Sequence, residues 1–175
     1  MTSAYADESF HEAPSGGFYV LQLRAKQGGR RVDKLHWYEM NRQRRLDAVT
    51  RVVDLADFHV VAIGTPVPHR RQEQARAACL CRLVHELHGC EVQTLYMESR
   101  SRLLNLRDVR TVTWTRGLLP RGSDFHVRHV LGGTEPLLWV ADIVAGAVRA
   151  HQEGEPTFRR LLDDHLYEIA VDTNC

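Results

Sequence analysis

The sequence predicts an α/β fold in which a three-stranded antiparallel meander is followed by alternating helices and strands in one mixed sheet. Three observations carry that expectation. The first third alternates in strand-like fashion around a glycine-rich turn, and the middle switches between apolar residues at helical spacing and short β-branched runs. The length of 175 residues suits one hydrophobic core better than two, so a single domain over 1–175 is expected.

Taken in order, Ala4 to Ser9 reads as an opening strand. A loop from His11 to Gly17 carries Pro14, Ser15, Gly16 and Gly17, and the alternating run Phe18 to Ala25 reads as the second strand. Gln27-Gly28-Gly29-Arg30 supplies the positive φ that a hairpin turn needs, so Val32 to Tyr38 is expected as the third antiparallel strand. From Asn41 to Ala56 the residues Leu46, Val49, Val53 and Ala56 recur at helical spacing, with arginines largely elsewhere. His59 to Gly64 is a mostly apolar run that suits a strand covered on both faces, ended by Pro66 and Pro68. A helix from Arg70 to Leu87 stops at Gly89, and Val92 to Met97 follows as a strand.

The spacing of Leu103 to Leu119 fits a helix, although Thr111, Val112, Thr113 and Trp114 favour β structure. Phe125 to Leu131 is the last expected strand. Pro136 suits the first turn of a helix running to His151, a final helix covers Thr157 to Leu166, and the remainder reads as a tail.

A formal net charge of +1 identifies no partner by itself. Lys26 and Lys34 are the lysines, and every other basic residue outside the histidines is arginine. Arginine favours bidentate phosphate contacts, while a genome rich in G and C produces the same bias. No stretch approaches the roughly 18 apolar residues of a membrane span, and no signal pattern opens the chain, so a cytoplasmic protein with no membrane partner is expected. Cys79, Cys81, Cys90 and Cys175 are expected as free thiols. Cys81, His85 and His88 share a helix face, but three ligands on one straight helix chelate zinc poorly.

Carboxylates stand where apolar positions are expected. Asp7 and Glu8 close the first strand-like run, Glu98 ends another, and Asp142 is the one ionisable residue between Pro136 and Arg149. An acid withdrawn from water needs a partner, a proton or a metal. The competing readings are a turn cap for Asp7, a surface acid for Glu98 and a salt bridge to a buried arginine for Asp142. Glu8 alternates to the sheet face opposite Asp7, and His36 is a candidate to face the acids. The arginines from Arg100 to Arg121 form the densest basic stretch, suited to phosphate positioning or to a solvated face laced with ion pairs.

Acids on the first strand, a later strand and a late helix give the layout of the ribonuclease H-like fold. More specifically, Tyr5-Ala6-Asp7-Glu8-Ser9 and Trp139-Val140-Ala141-Asp142-Ile143-Val144-Ala145-Gly146-Ala147 resemble the paired signatures of the bacterial domain-of-unknown-function family 3800. That family is related to ribonuclease H-like proteins and carries an Asp-Glu motif early and a Gln-x-x-Asp motif late. Glu98-Ser99-Arg100, with Leu104-Asn105 and Asp108 behind it, resembles the family's central strand and loop, so the likeness runs from Tyr5 to about Val148.

The resemblance implies a metal-dependent nuclease acting on DNA or RNA. In it Asp7, Glu98 and Asp142 hold Mg²⁺ or Mn²⁺, Glu8 supports them, and Arg100 or Arg102 positions phosphate. Two such ions, about 3.5–4 Å apart, activate water and stabilise a leaving oxygen. Trp139 departs from the family glutamine, having an indole donor but no amide acceptor. That departure implies the alternative, a catalytically inactive binding or adaptor protein of a mobile element or defence system. The oligomeric state is open.

Overall fold

The computed structural model describes residues 2–11, 17–25 and 36–173. Among these residues, six strands form one sheet: β1 (Thr2–His11), β2 (Gly17–Ala25), β3 (His59–Val67), β4 (Val92–Glu98), β5 (His126–Val130) and β6 (Leu166–Asp172). Their order is β5-β4-β1-β2-β3-β6. β1 pairs antiparallel with β2 and β2 antiparallel with β3, whereas β1–β4, β4–β5 and β3–β6 are parallel. The fold is therefore α/β on a mixed sheet.

Helices cover both faces. On one side α2 (Gln72–Gly89) packs on the sheet, with α3 (Arg102–Arg116) beside it. Ala4, Ala6, Leu80, Leu83, Leu95 and Phe125 belong to the core under them. On the other side lie α1 (Arg42–Asp54), α4 (Pro136–Gln152) and the short α5 (Thr157–Arg160), with Val49, Val61, Val144, Val148 and Leu162 in a second core. The unbroken burial of β3 from His59 to Gly64 follows from its place inside the sheet, with helices on both faces. Among the described residues, no helix is long and apolar enough to cross a membrane.

Three expectations need correction. The expected strand Val32–Tyr38 lies largely outside the described residues, and its described end, Trp37–Glu39, is a 3₁₀ turn. β3, which follows α1, takes the third place. The turn forms because the Trp37 ring is drawn into the second core, edge-on to Phe158 at 5.1 Å, with the Arg45 guanidinium over its face at 4.8 Å.

The final helix is a single turn, α5, and the tail beyond it is β6. Parallel pairing with β3 outweighs the helical spacing, because β6 places Leu166 in one core and Ile169 in the other. The conflict over Thr111–Trp114 resolves as helix. The Ser101 side chain caps α3, and the Thr115 hydroxyl donates to the Thr111 carbonyl at 2.9 Å, which satisfies that hydroxyl within the helix. The expected hairpin turn Gln27–Arg30 lies outside the described residues. Cys79, Cys81 and Cys90 are in no disulfide, and Cys175 lies outside the described residues.

Candidate functional site

Asp7 and Glu98 are brought together by a parallel register. Tyr5 pairs with Tyr96 and Ala6 with Met97, so one step further Asp7 stands beside Glu98 at the carboxyl ends of β1 and β4. Alternation buries Ala4 and Ala6 beneath α2 and turns Tyr5 and Asp7 toward α4. The Tyr5 and Tyr96 rings stack at 5.1 Å behind the two acids. α4 crosses β1 and β2 and supplies Asp142. All three carboxylates line one pocket of about 330 Å³, together with His36, Tyr38, Arg76 and Arg100.

The electrostatics of this pocket are unbalanced. Acids in neighbouring positions of adjacent strands repel each other, and burial removes the water that would screen them. Burial first, then the charges of Asp142 and Glu98, push the Asp7 carboxyl well above the ordinary aspartate range, with Arg76 opposing. Burial also raises Asp142, while the Trp37 amide and His36 pull it back. The Trp37 N–H donates to Asp142 Oδ2 at 2.8 Å, and His36 Nδ1 lies 3.8 Å from the same oxygen. Among the described residues the partners of Asp142 are thus an amide and a histidine, not a buried arginine. Asp7 sits within β1 rather than at a helix or turn cap, and its Oδ1 accepts the Glu8 N–H at 2.8 Å.

Two glycines set the position of the acids. A Cβ on Gly132 would run into the Glu98 carboxylate, so only glycine lets that side chain lie over the 132–134 turn. The Trp139 indole N–H donates to the Gly132 carbonyl at 2.7 Å and holds the turn in place. Trp139 is buried and does not line the pocket. Likewise a Cβ on Gly146 would strike the Trp37 ring. Its absence lets the 36–39 segment settle on α4 within reach of Asp142.

Behind the acids lies a charge network on the α2 side. Glu8 ion-pairs with Arg76, as its opposite facing requires. Arg76 grips Asp108 with Nε at 2.9 Å and Nη2 at 3.0 Å. Arg100 reaches Glu73 at 2.5 Å and Asp108 at 3.3 Å, and His129 Nε2 lies 3.0 Å from Asp108. Burial alone would raise Asp108, but hydrogen bonds from His129 and Arg76 and the charges of Arg76 and Arg100 hold its carboxyl far below the usual range. Arg100 lines the pocket yet is committed to carboxylates. Arg102 is exposed and does not line the pocket.

Sequence reasoning passed over Arg76, whose signal was an arginine on the apolar stripe of α2 between Ala75 and Cys79. On the same helix His85 Nδ1 donates to the Cys81 carbonyl at 2.9 Å, an ordinary intrahelical contact.

Oxygen-only donors in a field of excess negative charge suit a hard divalent cation. Among the described residues, Glu98 engages in no hydrogen bond or ion pair, which leaves its oxygens available. Also among the described residues, no three His, Cys, Asp or Glu side chains close into a metal-ligand set, so the trio shares a pocket and a field rather than a finished coordination shell. A comparison with family models and with curated proteins finds no match to this chain.

Proposed function

We propose that this protein is a divalent-metal-dependent nuclease of ribonuclease H-like type, with Mg²⁺ or Mn²⁺ as cofactor and DNA or RNA as substrate. The observation that carries the reading is the meeting of Asp7, Glu98 and Asp142, from three distant segments, in one pocket at the carboxyl end of β1 and β4. Burial and the neighbouring charges of Asp142 and Glu98 raise the Asp7 carboxyl, and a divalent cation among the three acids would offset both effects. Antiparallel β1–β2–β3 followed by parallel β4 and β5 supports the fold assignment and the resemblance to family 3800.

Asp7, Glu98 and Asp142 would hold the metal, which when bound supplies water activation and charge stabilisation on a phosphodiester. Glu8 and the Arg76–Asp108 pair fix the β1 end from behind. The Trp37 amide orients Asp142, and Gly132 fixes Glu98. His36 lines the pocket beside the space that a phosphate would enter, and Arg100, held by Glu73 and Asp108, adds positive charge to the same wall.

Asp7→Asn and Asp142→Asn should each abolish Mn²⁺-dependent cleavage of labelled DNA, RNA or hybrid while circular dichroism stays unchanged. Full cleavage by either variant refutes the assignment. The second reading, a binding or adaptor module without catalysis, is favoured by Trp139, whose only polar atom is spent on Gly132. Calorimetric titration with Mn²⁺ separates the two, because heat that saturates in the parent and vanishes in Asp7→Asn belongs to the metal reading alone.

A further inference from the structure

Among the described residues, the outer face of α3 is unpartnered and chemically one-sided. Leu103, Arg107, Arg110 and Trp114 follow i, i+4, i+7, i+11 and therefore share one ridge, about 16 Å long. Each is exposed, with Leu103 at 68% and Trp114 at 63%. Arg102 and Leu106 flank the ridge and are exposed as well. Asp108, the only acid in the helix, is buried on the opposite side against Arg76. The exposed face thus carries three guanidiniums and no carboxylate. Trp37 and Trp139 are each 8% exposed, so among the three tryptophans Trp114 alone offers its ring to a ligand.

We propose that this ridge binds single-stranded nucleic acid, with Arg107 and Arg110 on phosphates and Trp114 stacked on a base. Charge complementarity selects the occupant. A second copy of the chain docked about a twofold axis would set these arginines against their own equivalents, whereas a phosphate backbone neutralises them. A ring free for stacking selects single strands over duplex, whose bases are already stacked. The N-cap of α3, Ser101, directly follows Glu98, Ser99 and Arg100 of the pocket lining, so the N-terminal end of the helix that carries the ridge adjoins the acidic pocket. The inference takes nucleic acid as partner from the nuclease reading, but needs neither metal nor cleavage.

The test is a titration of tryptophan emission with single-stranded oligothymidylate or oligouridylate of about twelve nucleotides, in chelator, so that no cleavage intervenes. Emission should be quenched in the parent and unresponsive in Trp114→Phe. Arg107→Gln with Arg110→Gln should weaken binding at least about tenfold at low salt and reduce the slope of log K against log salt by about 1.4. Several results would each overturn the proposal: parent-like affinity in the double variant, quenching that persists in Trp114→Phe, equal binding of duplex, or emission that changes with protein concentration alone. The outcomes also separate the two readings. A parent protein that cleaves with Mn²⁺ but shows no ridge binding removes this inference only, and ridge binding by a protein that never cleaves removes the nuclease reading only.

Discussion

Asp7 shows how one buried acid couples the pocket to pH. Its carboxyl is raised above the ordinary value of 3.8, so between that value and the native one the folded chain holds a proton that the unfolded chain has released. Stability from that proton is complete below the ordinary value and is lost as pH rises through the native one. Asp142 shifts the same way. Asp108, held low, acts in the opposite sense, contributing stability above its unfolded value that is lost as pH falls. In metal-free protein Asp7→Asn removes only the first effect. Its melting temperature should therefore gain on the parent's as pH climbs from about 4 to 8, and a constant gap would contradict the burial argument. Glu98 offers a second test. Gly132→Ala forces its carboxylate to move and should cost about 10–100-fold in Mn²⁺ affinity by calorimetry, with Trp139→Phe shifting it in the same direction. At this scale the acids were legible because they interrupt apolar patterns. The glycine beneath Glu98 was not, because a missing Cβ acquires meaning only once a distant side chain lies against it.

Among the elements, α2 and α3 are joined by charge as well as by packing. Asp108 on α3 accepts two hydrogen bonds from Arg76 on α2, and both side chains are only 3% exposed. Removing Asp108 takes two hydrogen bonds from the buried Arg76 guanidinium, leaving Glu8 as an acid beside it, and takes a carboxylate from Arg100 and His129, so Asp108→Ala should destabilise the fold by about 3–5 kcal/mol in urea denaturation. Helix α1 was readable from its apolar period, with Asn41 as its cap. So was α3, once Ser101 and the internal threonine bond are counted against β propensity. The 36–39 turn and β6 were not, and for one shared reason. Each is decided by a distant partner, Gly146 and Phe158 for Trp37 and β3 for the tail, and local spacing carries no record of that.

Across the whole molecule, the alternation of helices and strands could be read from sequence, but the strand order could not, because it depends on which edges meet. That order makes the pocket. β1 stands between β4 and β2, so the first strand of the chain carries its acid at the centre of the sheet, next to Glu98 and below α4. A cation drawn into this pocket would bind the folded chain and not the unfolded one, so it should stabilise the whole protein. At a free Mn²⁺ concentration one hundredfold above the dissociation constant the gain is about 2.7 kcal/mol, or roughly 5–10 °C in melting temperature for a chain of this size. A bound metal would also reverse the pH trend. Without one, the contribution of Asp7 and Asp142 to stability declines as they lose their protons, whereas with one the same deprotonation would create the ligands, so a Mn²⁺-induced rise should grow with pH. Differential scanning fluorimetry across pH, with and without Mn²⁺, tests both signs at once. A rise that is independent of pH, or that survives in Asp7→Asn, would locate the ion somewhere other than this pocket.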